Sequence, residues 1–175
     1  MCHPFSGRVG LIAFDQLPYV SKQEIPALQR LDSGKAIELM SLPALVKGKR
    51  GVLKQLKSFL GKDLHILHVA CHAYEQDPIE ESYLFVTKDF PISMIDVVVN
   101  NFELKNRPFV ILNACLTSTM NPLYTSFWAE KFWNMGARGV LATDFQVPDW
   151  FAADFSAALY QHLPVEWRCR CLFAP

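Results

Sequence analysis

Residues 109–112, Phe-Val-Ile-Leu, form an unbroken apolar run inside Arg107–Cys115, and no other feature of the chain restricts its fold as strongly. A strand with one wet face alternates apolar and polar residues. A continuous run suits a strand covered on both faces, the situation inside a parallel sheet. Comparable runs stand at 8–14, 36–42, 63–71, 83–87 and 138–145. Between them lie stretches with helical spacing. Over 47–60, Val52, Leu56 and Leu60 recur at intervals of four, with Gly61 behind them. After Asn121 and Pro122, placed as N-cap and first-turn proline, Leu123, Phe127, Phe132 and Met135 lie on or near one stripe that Gly136 ends. A third helix is predicted from an N-cap at Asp149 to about Leu163. Pro91 is suited to open a helix over 91–104, against the β-branched run Val97–Val99. The polar segment containing Pro18 and Pro26 reads as loop. Alternation of this kind predicts an α/β fold with a mostly parallel central sheet and helices on both faces.

With 175 residues, 51% of them apolar, the chain can bury a sizeable core without disulfides or metals, and general disorder is excluded. It is expected to be one domain over 1–163, reading as incomplete at both ends, with an irregular tail over 164–175. Lys and Arg number 17 and Asp and Glu number 17, so no cationic excess exists to track nucleic acid or an anionic membrane surface. No apolar run approaches the roughly 20 residues that span a bilayer, and the first residues lack the charged and apolar regions of a secretion signal. A cytoplasmic protein is expected. Five cysteines, at 2, 71, 115, 169 and 171, are an odd number and read as free thiols.

The segment His65–Ala73 holds three histidines and a cysteine in nine positions. On a strand rising about 3.3 Å per residue, His68 and His72 stand about 13 Å apart, too far to share a zinc ion that must lie about 2 Å from each nitrogen. Neither a metal nor a cofactor is expected. His65 and His68 read as partly buried, satisfied residues bonded to a neighbouring carbonyl. His72 differs, because it sits where the apolar run turns polar, and open parallel sheets bind ligands outside the carboxyl ends of their strands. Cys115 meets the same description at the end of the 107–115 run. If the two strands are neighbours, an imidazole and a thiol can meet. A histidine can then take the thiol proton and later protonate a leaving amine. The plainer alternative is that Cys115 is a small hydrophobe ending a core strand.

His-Val-Ala-Cys-His-Ala at 68–73, Phe-Val-Ile-Leu-Asn-Ala-Cys-Leu-Thr-Ser at 109–118 and the stretch Gly136–Leu163 together resemble the CHAT domain, a caspase-like domain often found beside helical repeats. The resemblance covers about 51–163. It implies a caspase-like three-layer α/β/α sandwich and a cysteine endopeptidase with His72 as general base and Cys115 as nucleophile, acting on a protein or peptide within a signalling or defence pathway. It also implies an oxyanion site made by the backbone N–H groups of Ala73 and Cys115, and it suggests helical-repeat (TPR-like) partners. Two departures stand out. Ala73 occupies a position where the clan usually has glycine, and alanine resists positive φ. Asn113 stands where metacaspases carry the aspartate that recognises a basic P1 side chain, so that preference is not implied. Asn113 and Asp144 are the candidate pocket residues. The competing readings are a catalytically silent CHAT module that binds partners, and a Rossmann- or flavodoxin-like ligand binder resting on the α/β alternation and on Gly136-Ala-Arg-Gly139 after a helix.

Overall fold

A computed structural model of the chain describes residues 7–14, 16–43, 48–74, 76, 78, 81–116, 122–143 and 147–162, with residues 115–116 and 122–127 entering through their backbone alone. Among the described residues the sheet has seven strands. β1 (Gly7–Ala13) lies between β2 (Ile37–Ser41) and β3 (Ile66–Tyr74), and β3 pairs on its other edge with β6 (Phe109–Leu116), which pairs in turn with β7 (Gly139–Ala142). All four of these pairings are parallel. β3 outruns β1, whose last residue Ala13 is level with Ala70, and its end is paired antiparallel by β4 (Tyr83–Phe85), itself extended by the short β5 (Ile92–Ser93). β6 is thus interior, as its unbroken apolar run requires: Val110, Ile111 and Leu112 are all buried.

Helices cover both faces. On one face α2 (Lys49–Leu60), α3 (Met94–Val99) and α4 (Pro122–Asn134) bring Val52, Leu56, Val97, Trp128 and Phe132 against Ile12, Leu67, Val69 and Val110. On the other, α1 (Ile25–Ser33) and α5 (Asp149–His162) bring Leu28 and Tyr160 against Val9, Leu11 and Ile111. The result is the α/β/α layering of a caspase-like fold. Mid-strand Gly10 has a packing reason, since a Cβ there would come within 2.5 Å of the Leu64 side chain, which fills that space. Gly136 takes φ +104° two residues beyond the end of α4, the left-handed position that glycine tolerates best. No helix among the described residues is long and apolar enough to cross a membrane.

Three local expectations are corrected. The segment around Pro18 and Pro26 is helical rather than loop: a π-helical turn, Val20–Glu24, runs directly into α1. Pro26 stands at the junction of the π turn and α1, where its ring removes one backbone donor from a helix already under way, and Ala27 and Leu28 bury behind it. Pro91 opens no helix. It precedes β5, and α3 starts only at Met94, capped by Ser93, and stops at Val99 well short of residue 104. Asp149 is the first residue of α5 and not its cap, so its contribution is a negative charge beside the helix N-terminus. Asn121 lies outside the described residues.

Ser93 and Asp96 form a reciprocal capping box: Ser93 Oγ accepts from the Asp96 N–H at 3.1 Å, and Asp96 Oδ2 accepts from the Ser93 N–H at 2.9 Å. Lys49 Nζ lies 2.8 Å from the same carboxylate oxygen, tying α2 to α3. Burial alone would raise the Asp96 carboxyl pKa, but the Lys49 and Ser93 hydrogen bonds outweigh it and hold it below the usual carboxylate range. With only six residues, α3 depends on its cap. Ser93→Ala is expected to destabilise the protein by about 1 kcal/mol, read as a lower urea midpoint with an unchanged m-value.

Candidate functional site

The parallel ladder between β3 and β6 runs over eight residue pairs, from Ile66 opposite Phe109 to Ala73 opposite Leu116. Within it His72 is the register partner of Cys115. No strand intervenes, and neighbouring strands lie about 4.8 Å apart. The two residues singled out in the sequence, 43 positions apart, are therefore brought side by side at the carboxyl ends of adjacent strands. That end of a parallel sheet is where open α/β folds place their ligands.

His72 is half-buried, with Phe85 of β4 as its register partner on the other edge. The Phe14 ring meets the imidazole edge-on, with centroids 5.5 Å apart and planes at 68°. Among the described residues the buried Nδ1 of His72 has no hydrogen-bond partner. A buried polar atom without a partner costs on the order of 1–3 kcal/mol, and such orphans in native structures call for an explanation, a catalytic role among them.

Ala73 sits inside the ladder, not in a loop beyond it. It is buried and is paired with Leu116 on one side and Leu84 on the other. Its backbone is not among the positive-φ positions, which are Lys35, Asn101, Arg107, Gly48 and Gly136, so alanine meets no conformational penalty there. Asn113 is buried, and its amide nitrogen is directed at the Glu24 carboxylate, the Ser156 hydroxyl (3.1 Å) and the Ala152 carbonyl (3.3 Å). Its amide is thus engaged beneath the π turn and α5. Asp144 lies outside the described residues, as do Cys2, Cys169 and Cys171.

The other two histidines of this strand segment have separate partners, and that of His68 is a hydroxyl where the sequence suggested a carbonyl. His65 Nδ1 accepts from the Arg8 backbone N–H at 2.9 Å. Burial, followed by the Arg8 charge, lowers the His65 pKa, which keeps the ring an acceptor at neutral pH. His68 Nδ1 lies 3.0 Å from the Tyr160 hydroxyl. Cys71 is buried in mid-strand opposite Ala114.

Glu24, Ser156 and Tyr160 are the polar residues that sequence reasoning missed. Glu24 fell in the segment taken for loop. Ala152, Ser156 and Tyr160 recur at intervals of four along α5, a buried stripe with two hydroxyl groups on it, and that spacing was a readable signal. Compared with known families, residues 5–169 match the model of the CHAT domain. No curated protein matches the chain.

Proposed function

The chain belongs to the CHAT domain family, and from that premise we propose that it is a cysteine endopeptidase of the caspase-like clan, acting in the cytoplasm on a protein or peptide. The observation that carries this reading is the register match of His72 and Cys115 on adjacent parallel strands. In the proposed reaction His72 takes the Cys115 proton and the thiolate attacks the scissile carbonyl carbon. The C–N bond then breaks as the imidazolium protonates the departing amine. A water, deprotonated by His72, hydrolyses the thioester and returns the free thiol. Backbone N–H groups at Ala73 and Cys115 are the proposed oxyanion donors. Asn113 and Asp144 remain the proposed pocket residues, Asn113 through the wall it forms and not through a free amide.

A second reading, a catalytically silent module that binds partners such as helical repeats, is favoured by one feature. Trp150, Phe151 and Phe155 are each 45–50% exposed on α5. Clustered exposed aromatics of this kind suit a protein interface.

Alkylation separates the two readings. A free thiol with a pKa of about 8.5 is only about 3% thiolate at pH 7. If His72 holds the Cys115 proton, iodoacetamide modifies Cys115 first among the five cysteines, well below pH 8. His72→Ala is then expected to slow that modification about 30-fold at pH 7. Labelling of Cys115 in the native protein no faster than in the unfolded protein, where every thiol is exposed, would favour the silent module.

A further inference from the structure

A chain of buried polar groups runs beneath the strand ends, on the face covered by α1 and α5. Glu24, His68 and Ser156 are each at most 1% exposed. The Tyr160 hydroxyl of α5 meets His68 Nδ1 on β3, and His68 Nε2 faces Glu24 Oε2 at 3.6 Å, an electrostatic contact longer than a hydrogen bond. The other Glu24 oxygen accepts from Asn113 Nδ2 on β6, and Asn113 reaches Ser156 on α5. Burial first, and the Glu24 charge second, push the Tyr160 hydroxyl pKa well above its ordinary value, so the group keeps its proton, and with Nε2 turned to the carboxylate the favourable arrangement has that proton donated to Nδ1. A neutral His68 ring then carries its hydrogen on Nε2, the atom turned toward the carboxylate. Glu24 reaches both strands from the π-helical turn, and single π insertions of this kind are frequent at functional sites.

We infer that Glu24 is a positioning residue for the His72–Cys115 pair, its carboxylate bridging the two strands that carry the pair. It acts through His68, four residues before His72 on β3, and through Asn113, two residues before Cys115 on β6. The inference rests on the reading of that pair as the reacting groups. The backbone ladder fixes which residues are level with each other. The carboxylate adds a tie between side chains, and it couples the spacing and tilt of the strand ends to α5 and the π turn. Neither Glu24 Oε2 nor His68 Nε2 has a hydrogen-bond partner among the described residues, so each buried atom has only the other to face, and sliding the two strands apart would remove that contact as well.

Glu24→Gln tests this, because it keeps the volume and an oxygen for Asn113 but presents a neutral amide to His68. Two readouts are taken: amide hydrogen exchange along the sheet, and the pH profile of Cys115 alkylation. Exchange is expected to quicken about tenfold at 70–73 and 113–115 while β1 and β2 amides stay protected. The alkylation midpoint is expected to move up toward the free-thiol value of about 8.5. Adding Asn113→Asp to Glu24→Gln restores a carboxylate to the bridge and should recover much of both signals. Unchanged strand-end exchange overturns the inference, and so does a uniform loss of protection across the sheet. If Glu24→Gln does not fold, Tyr160→Phe removes one hydroxyl from the same chain and should give the same localised pattern at smaller amplitude. A wild-type Cys115 that alkylates like an ordinary thiol would sink the peptidase reading. The exchange arm would then decide the bridge alone: loss confined to the strand ends upholds it, and unchanged protection overturns it.

Discussion

Cys115→Ala is expected to bring cleavage of any peptide that the wild-type protein hydrolyses down to the rate in buffer, with the fold intact. The size of the effect follows from the chemistry. Alanine has no nucleophile, and no second thiol can substitute at that register position, since the described alternative, Cys71, is buried opposite Ala114. His72→Ala is expected to be severe but incomplete, because a positioned acid–base group contributes about 10²–10⁴-fold and a small thiolate population persists without it. The loss should fall on kcat with KM little changed, since neither side chain is assigned to holding the substrate. The wild-type kcat/KM should trace a bell against pH, its limbs belonging to the coupled pair and not to either residue singly. His72→Ala should leave one rising limb, following thiol ionisation. Turnover by Cys115→Ala equal to wild type would remove the peptidase proposal, leaving the partner-binding module as the better account of the exposed α5 aromatics.

The layout of that pair was legible because it depends on short-range pattern plus one topological rule. The apolar run at 109–112 marked an interior strand, and the run ending at His72 marked another. Parallel strands in a covered sheet end on a common edge, which brings their final residues near one another. Helix α2 was equally plain: Val52, Leu56 and Leu60, spaced by four, are all buried. Its side chains answer to one face of one element. The first helical layer was hidden for the opposite reason. Pro18 and Pro26 signal a break when taken alone, and only the burial of Leu28 against Val9 and Leu11 makes the helix worth forming.

His68, Asn113 and the four-residue spacing of Ser156 and Tyr160 could be read, but the pairing of the buried polar chain could not. Its bonds join residues 89 and 92 positions apart, Glu24 to Asn113 and His68 to Tyr160, and no local pattern encodes such partners. The candidate pocket was read from a family position and not from chemistry. The structure engages the Asn113 amide with Glu24, Ala152 and Ser156. An amide at the end of a buried strand can equally be there to bind its own protein, and sequence spacing does not tell the two apart.

Trp128→Ala is expected to be among the most destabilising single substitutions in the described core, at about 3–5 kcal/mol. Trp128 on α4 is 1% exposed and packs at a tilt against Phe132, with ring centroids 6.3 Å apart. Both rings line an apolar cavity of about 40 Å³ shared with Ile12, Leu56, Val69 and Val97. That cavity decides the size of the effect. Removing an indole from a tightly filled site leaves neighbours that can partly collapse into the gap, whereas here the new void joins one that α2, α3 and α4 already fail to fill. Collapse would require moving three helices together, so the cost should lie at the upper end of the range. A domain of this size loses about 2–4 °C of melting temperature per kcal/mol, so a fall of about 10 °C or more is expected in a thermal scan. Activity at 25 °C should fall only in proportion to the folded fraction, because Trp128 is far in role from the His72–Cys115 pair. A melting temperature within 3 °C of wild type would mean that α4 contributes little to holding the sheet. Full stability with lost turnover would mean that α4, which follows Cys115 in the chain, positions the strand end directly.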